Sequence, residues 1–309
     1  MPGPAHGATR LTASTPEDVL AAVPVVLGFV PDESVVMLTF GGVETFHARV
    51  DLPRPGRADE IAEAVQQLLE PALLHRVARV LFVLYADDGQ TVRTVIRQLR
   101  QAFAGEGIDV VEVLRAHGGR WFAPGRPGAP RRGVPYDIGG HRFRAQAVVE
   151  GIVVHGSRVE LEALLSPVPT AVAETARALR RAVPSSPGEV ADLVDRRLDE
   201  GRFTSVELAR VLLGLLDAAG RDAAWAALTR EVADRHVRLW TDAVQRAPDE
   251  LVAAPAAVLG LAAWLSGQGA LAWCAVDRCC AVDPESPLAE VVAEVLTRAV
   301  PPSAWAEAG

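Results

Sequence analysis

The sequence predicts an α/β front half followed by an all-helical back half, and three observations carry that reading. Strand-like and helix-like periods alternate between residues 34 and 115, the pattern of a sheet with helices packed on it. Residues 77–85 (VARVLFVLY) are almost wholly apolar, as in a strand buried on both faces. Beyond Pro169 only helical spacing remains. The break in periodicity at Ser166-Pro-Val-Pro-Thr predicts two packing units, 1–165 and 166–309.

The elements follow in chain order. Thr15-Pro-Glu-Asp reads as a helix start, with Thr15 as cap, proline at the first helical position and acids at the positive end of the dipole. This helix is expected to run toward Val23, with Pro24 limiting it and Gly28 and Pro31 turning the chain. Residues 34–40 (SVVMLTF) predict a strand, and Gly41-Gly42 a tight turn into a second strand over 43–52. There His47 and Arg49 share one face with Val43 and Thr45, while Phe46, Ala48 and Val50 share the other with Glu44. Residues 58–74 have helical spacing, with Ile61, Val65, Leu68 and Leu69 on one side. After the apolar strand come Asp87-Asp88-Gly89, a helix over 91–103, a strand over 108–115, and a Gly118-Gly119 turn into Arg120-Trp121-Phe122. Residues 123–140 read as loop; within them 124–135 hold few side chains to bury and are expected to be poorly packed and mobile. Order returns over 145–165 as a strand or short helix and then a helix from Arg158. Seven further helices are expected, over 170–182, 187–200, 204–218, 221–246, 249–266, 268–282 and 286–298.

Composition excludes several chemistries. The chain has no lysine and no asparagine. That removes Schiff-base catalysis, a Walker A loop and protein-kinase machinery. The net charge of −8 argues against binding nucleic acid through overall positive charge. The opening MPGPAHGATR lacks the apolar stretch of a signal peptide, so none is expected. The apolar runs 19–30 and 251–265 fall short of the roughly 20 residues a bilayer span needs, and each contains proline. Three cysteines, Cys274, Cys279 and Cys280, lie in one helical stretch; they read as core and fit a reducing cytoplasm. The histidines are scattered, with no Cys–His spacing for zinc, and no GxSxG or GxGxxG segment occurs. No cofactor is expected.

Four constellations are candidates for binding or chemistry. Asp32-Glu33-Ser34 sets carboxylates beside a hydroxyl before a strand; the alternative is a turn whose polar groups satisfy the backbone. Asp87 and Asp88 follow a buried strand, where ligands bind in open α/β sheets, and could hold Mg²⁺; the alternative is that one of them caps the next helix. Asp51, at the end of the hairpin strand, could join them. Residues 115–144 carry seven arginines and a single acid, Asp137, with Arg120 and Trp121 among aromatic neighbours; the set suits an anionic ligand, or is a solvated loop. In the back half, Leu259-Gly260 followed by Ala272, Val276, Cys279 and Pro284 has the spacing of one tetratricopeptide unit, in which small residues let two helices approach. That register faces Ala272, Val276 and Cys279 inward and Arg278 outward.

Several segments resemble one family throughout the chain: Thr15-Pro-Glu-Asp, then VPVVLGFVPDESVV from Val23, ARVDLP from Ala48, Ala254-Pro255, AAWLSGQGALA from Ala262, AVDR from Ala275, Asp283-Pro284 and Leu288-Ala289. They are similar to an actinobacterial family catalogued as domain of unknown function 4192. The resemblance implies a lineage and no activity. Members of that family often carry cysteines after the Arg-Trp pair; here Arg120-Trp121 leads into Pro124-Gly-Arg-Pro without one, so any metal or redox role of those cysteines is absent at that site. The expectation is therefore a non-catalytic cytoplasmic binding or regulatory protein. Its α/β half would face a small, anionic ligand or a partner, and its helical half a protein partner, with no membrane or nucleic acid. The rival is a metal-assisted hydrolase of a phosphorylated or nucleotide-like substrate, using Asp87, Asp88 and the arginine-rich loop.

Overall fold

Residues 12–42 and 45–307 are described by a computed structural model and divide into two compact units, Met1–Ser157 and Arg158–Gly309. In the first unit, helix α1 (Pro16–Leu27) opens with a capping box: Asp18 N donates to Thr15 Oγ1 at 3.1 Å and Thr15 N donates to Asp18 Oδ2 at 3.0 Å. The helix passes through Pro24 instead of ending before it and stops at Gly28, whose φ of 78° puts it in the left-handed region. Proline removes one intrahelical hydrogen bond, and the burial of Val19, Leu20, Ala21, Val23 and Val25 outweighs that loss.

Strands β1 (Ser34–Phe40) and β2 (His47–Asp51) form the expected antiparallel hairpin. Thr39 Oγ1 donates to Phe46 O at 2.6 Å and accepts from Phe46 N at 3.2 Å, closing it. Of the strand expected over 43–52, Val43 and Glu44 lie outside the described residues, as does the opening segment through Leu11. Helix α2 (Ala58–Leu74) leads to β3 (Arg79–Tyr85), α3 (Gly89–Gly105), β4 (Asp109–His117), β5 (Arg120–Phe122), β6 (Val134–Pro135) and α4 (Arg142–Val149). The mixed sheet has the order β2-β1-β3-β4-β5-β6, in which β3 and β4 run parallel and the other neighbours antiparallel.

Alternation decides what each sheet face meets. Met37, Phe82, Leu84 and Val113 pack with Leu68, Val95, Leu99 and Phe103 of α2 and α3. Val36, Leu38, Leu81, Val83 and Leu114 pack with Val19, Leu20 and Val23 of α1. The apolar β3 is thus covered on both faces. Phe46, Ala48 and Val50 join the α2–α3 side, as their spacing predicts.

Two irregular stretches depart from expectation. The segment 123–140 contains β6, and it is a chain of turns tied by Arg126 N to Ala123 O, Ala129 N to Arg126 O and Gly133 N to Pro130 O. Order resumes at Arg142, earlier than expected, because His141 Nδ1 accepts from Phe143 N and starts α4.

The second unit comprises α5 (Arg158–Ala163), α6 (Pro169–Leu179), α7 (Pro187–Arg197), α8 (Ser205–Gly214), α9 (Ala218–Trp225), α10 (Ala233–Arg246), α11 (Ala253–Leu265), α12 (Gly269–Cys280) and α13 (Pro287–Thr297). The single helix expected over 221–246 is two. Leu228 N bonds to Trp225 O and Val232 N to Thr229 O, and the turns between α9 and α10 bury Leu228. Helix α11 is buried over nearly its whole surface, against α10, α12 and α13. A side chain at Gly260 would stand 3.6 Å from Ala272 O and from Val276 Cγ2, so α11 meets α12 in the register the small-residue spacing predicts. Arg278 is not on a free outer face: it is half-buried and donates to Asp249 Oδ1 at 2.6 Å, because the short 3₁₀ turn Asp249–Leu251 reaches over α12.

Candidate functional site

Most of the acids singled out from the sequence meet at one edge of the sheet, where β1 begins and β2, β3 and β4 end. Glu33, held at a φ of 37°, accepts Asp87 N on Oε1 at 3.1 Å, while its carbonyl accepts Leu52 N at 2.8 Å. One residue thereby links β1 to the ends of β2 and β3. Ser34 is fully buried; its hydroxyl donates to Asp32 O and accepts Arg49 Nε at 2.8 Å. Arg49 continues to Asp51 at 2.6 Å.

Beyond β3, the two aspartates part. Asp88 is the cap of α3: Gln90 N donates to Oδ1 at 3.1 Å and Thr91 N to Oδ2 at 2.8 Å. The Thr91 hydroxyl, with those backbone bonds, holds its pKa down at about 2. Asp87 turns outward to His117, with Oδ1 2.5 Å from Nδ1. Arg115 donates to Ala86 O at 3.0 Å and Asp87 O at 2.7 Å, and its guanidinium lies 5.5 Å from the centre of the Phe122 ring.

These bonds make the edge a clasp for strand ends. The hydroxyl of Ser34 is occupied and buried, Asp88 caps a helix, and Asp87 is exposed and paired with His117. Among the described residues no group of three His, Cys, Asp or Glu is placed to hold a metal ion.

Arg120 and Trp121 stand apart from that edge chemistry. Arg120 donates to Arg132 O at 2.8 Å and Gly133 O at 3.0 Å, tying down the turn-rich segment. Trp121 packs on the α1 side of the sheet, next to Ala116 and across it from Tyr85. Its indole nitrogen and the Tyr85 hydroxyl are buried without a hydrogen-bond partner among the described residues. Desolvation pushes the Tyr85 phenol far above its ordinary range, so it stays protonated.

A cavity opens at the opposite end of the same face, beneath α1. It has a volume of about 320 Å³ and is walled by Val19 and Ala22 of α1 and by Leu38 and Leu81 of the sheet. Exposed apolar side chains line part of its rim: Val26, Phe40 and Val111, the last 53 % accessible. Arg79 stands at the rim and His47 within. His47 Nδ1 is buried with no partner among the described residues, and burial lowers the imidazole pKa to about 4, so the ring is neutral near pH 7. The sequence offered one signal for this site, the placement of His47 and Arg49 on the face opposite Phe46, Ala48 and Val50. The walls read as ordinary core.

A family model described as "Domain of unknown function (DUF4192)" matches residues 16–303. No curated protein and no solved structure matches the chain.

Proposed function

Because the chain belongs to the DUF4192 family, a domain of unknown function, we propose its role from its own geometry: a non-catalytic binding protein whose α/β unit takes a small ligand with an apolar body and one hydrogen-bonding group into the cavity beneath α1. The observation that carries this reading is that the buried Nδ1 of His47 has no partner among the described residues, in a pocket whose walls are mostly apolar. A buried polar atom costs free energy unless something pairs with it, and a ligand hydroxyl or carbonyl would do so. The volume lies at the small end of ligand pockets, and the exposed rim of Val26, Phe40 and Val111 favours an apolar guest. In this reading the helical unit is the partner-facing half and the setting is cytoplasmic, which the free thiols of Cys274, Cys279 and Cys280 support. Among the described residues no helix is long and apolar enough to cross a membrane.

Octan-1-ol is a suitable probe, with calorimetric titration as the readout. The wild-type chain is expected to bind it saturably. Ala22→Leu, which fills the cavity, should abolish binding, and His47→Phe should weaken it by roughly five- to tenfold, the worth of one hydrogen bond. Circular dichroism melts establish that both variants are folded. Absence of wild-type binding, or affinity indifferent to both substitutions, would overturn the reading.

A further inference from the structure

The second unit carries a cavity of a different character. It has a volume of about 810 Å³, opens broadly to solvent, and lies where the carboxyl end of α6 meets α8. Four guanidiniums border it: Arg177, Arg180 and Arg181 at and just beyond the end of α6, and Arg210 from α8. Arg177 lies in the last turn of α6, and Arg180 and Arg181 in the turn that follows it. Arg210 is held by Glu189, at 2.6 Å from Oε1, and Glu189 is itself fixed by the capping box at the start of α7. Among the described residues no carboxylate is paired with Arg177, Arg180 or Arg181. Between the arginines lie Val183 and Val206, 70 % and 62 % accessible.

Arginines at a helix carboxyl end also favour the negative pole of the dipole, and that accounts for one or two of them. It does not account for a fourth arriving from another helix and pinned in place, nor for exposed valines between them. In a chain with net charge −8, four convergent guanidiniums concentrate positive potential locally.

We propose that this cavity binds a nucleoside diphosphate, its two phosphates gripped by Arg177, Arg180, Arg181 and Arg210 and its base laid on Val183 and Val206. Charge and shape both favour that class. A terminal phosphoryl carries roughly 1.5 to 2 negative charges near pH 7 and the inner one adds another, close to what four guanidiniums present once Glu189 is set against them. Guanidinium forks take phosphate oxygens two at a time, and a flat base covers apolar surface that a bare phosphate leaves wet.

The test is calorimetric titration of the full chain with ADP and, separately, with inorganic pyrophosphate. One ADP is expected per chain, with affinity falling as salt rises and pyrophosphate binding at least about tenfold more weakly. Arg180→Ala with Arg181→Ala should weaken ADP by more than about tenfold. Val183→Ser with Val206→Ser should weaken ADP several-fold and leave pyrophosphate unchanged. All four positions are at the surface, and unaltered thermal melts would show the variants folded. The proposal is overturned if ADP fails to bind, if ADP and pyrophosphate bind equally, or if the arginine substitutions leave ADP affinity intact. A phosphorylated peptide that binds where ADP does not would also overturn it and reassign the surface to a protein partner. Octanol binding in the other unit is indifferent to these outcomes.

Discussion

His236 lies fully buried on α10, where Trp240 Nε1 donates to its Nδ1 at 3.3 Å and its Nε2 has no partner among the described residues. Burial, aided by Arg235, lowers its pKa to about 4. The unfolded chain therefore takes up this proton near pH 6.5 while the folded chain refuses it until about 4, so stability falls as pH drops through that window. Urea unfolding at pH 7 and pH 5 should show the wild type losing about 1–2 kcal/mol more than His236→Gln. His47 acts in the same direction. Asp18, held by the backbone amides of Ser14 and Thr15, is shifted in the same direction, from its ordinary 3.8 down to about 2; its contribution is present above the ordinary value and is lost as pH falls toward 2. A second residue-scale test is steric. A Cβ at Gly133 would stand 2.6 Å from Phe122 Cε1 at a φ of 66°, so Gly133→Ala should cost about 1–3 kcal/mol in the same melts. The cap at Asp88 was legible from its neighbours in sequence, since a cap is local chemistry. The work of Arg120 was not, because its acceptors, Arg132 O and Gly133 O, are twelve and thirteen residues away and reach it only once β5 pairs with β6.

Between α11 and α12, small residues set the distance of approach. Ala272 is wholly buried and its carbonyl lies against Gly260, so Ala272→Leu should destabilise by about 1–3 kcal/mol or more. Arg278→Ala should cost less, about 0.5–1 kcal/mol, since Asp249 is largely exposed; equal effects in urea would count against the close approach. Periodicity revealed this pair because both helices bury long, regular faces. It failed where structure depends on what a helix meets: Pro24 is tolerated because α1 is buried, and the stretch 226–232 breaks the helix with neither glycine nor proline. The segment 124–135 is largely exposed although its turns are hydrogen-bonded. Limited proteolysis should cut there first; cleavage spread evenly over the chain would contradict this.

At the scale of the molecule, mixed sheet and helical array were readable because strand and helix periods differ and the apolar β3 demanded cover on both faces. The cavity beneath α1 was not readable, since its lining comes from five elements, α1 and β1 to β4, and most of its residues are ordinary apolar ones. The clusters that cover the sheet draw only on residues before Ser157, which favours independent folding of the two units. A fragment beginning at Arg158 should then show a helical dichroism spectrum and a cooperative melt; a fragment without a cooperative transition would refute this.

The sheet ends, on one side, in the two residues of β6, and the second of them is Pro135. Proline offers no amide hydrogen, and a ladder so short gives an incoming strand almost nothing to register against. With Arg131 and Arg132 just before it, this border repels a second copy of itself. While the chain is newly made and crowded by identical neighbours, its growing sheet has a terminus that cannot seed intermolecular β-structure, and collisions at that side stay unproductive long enough for folding to finish.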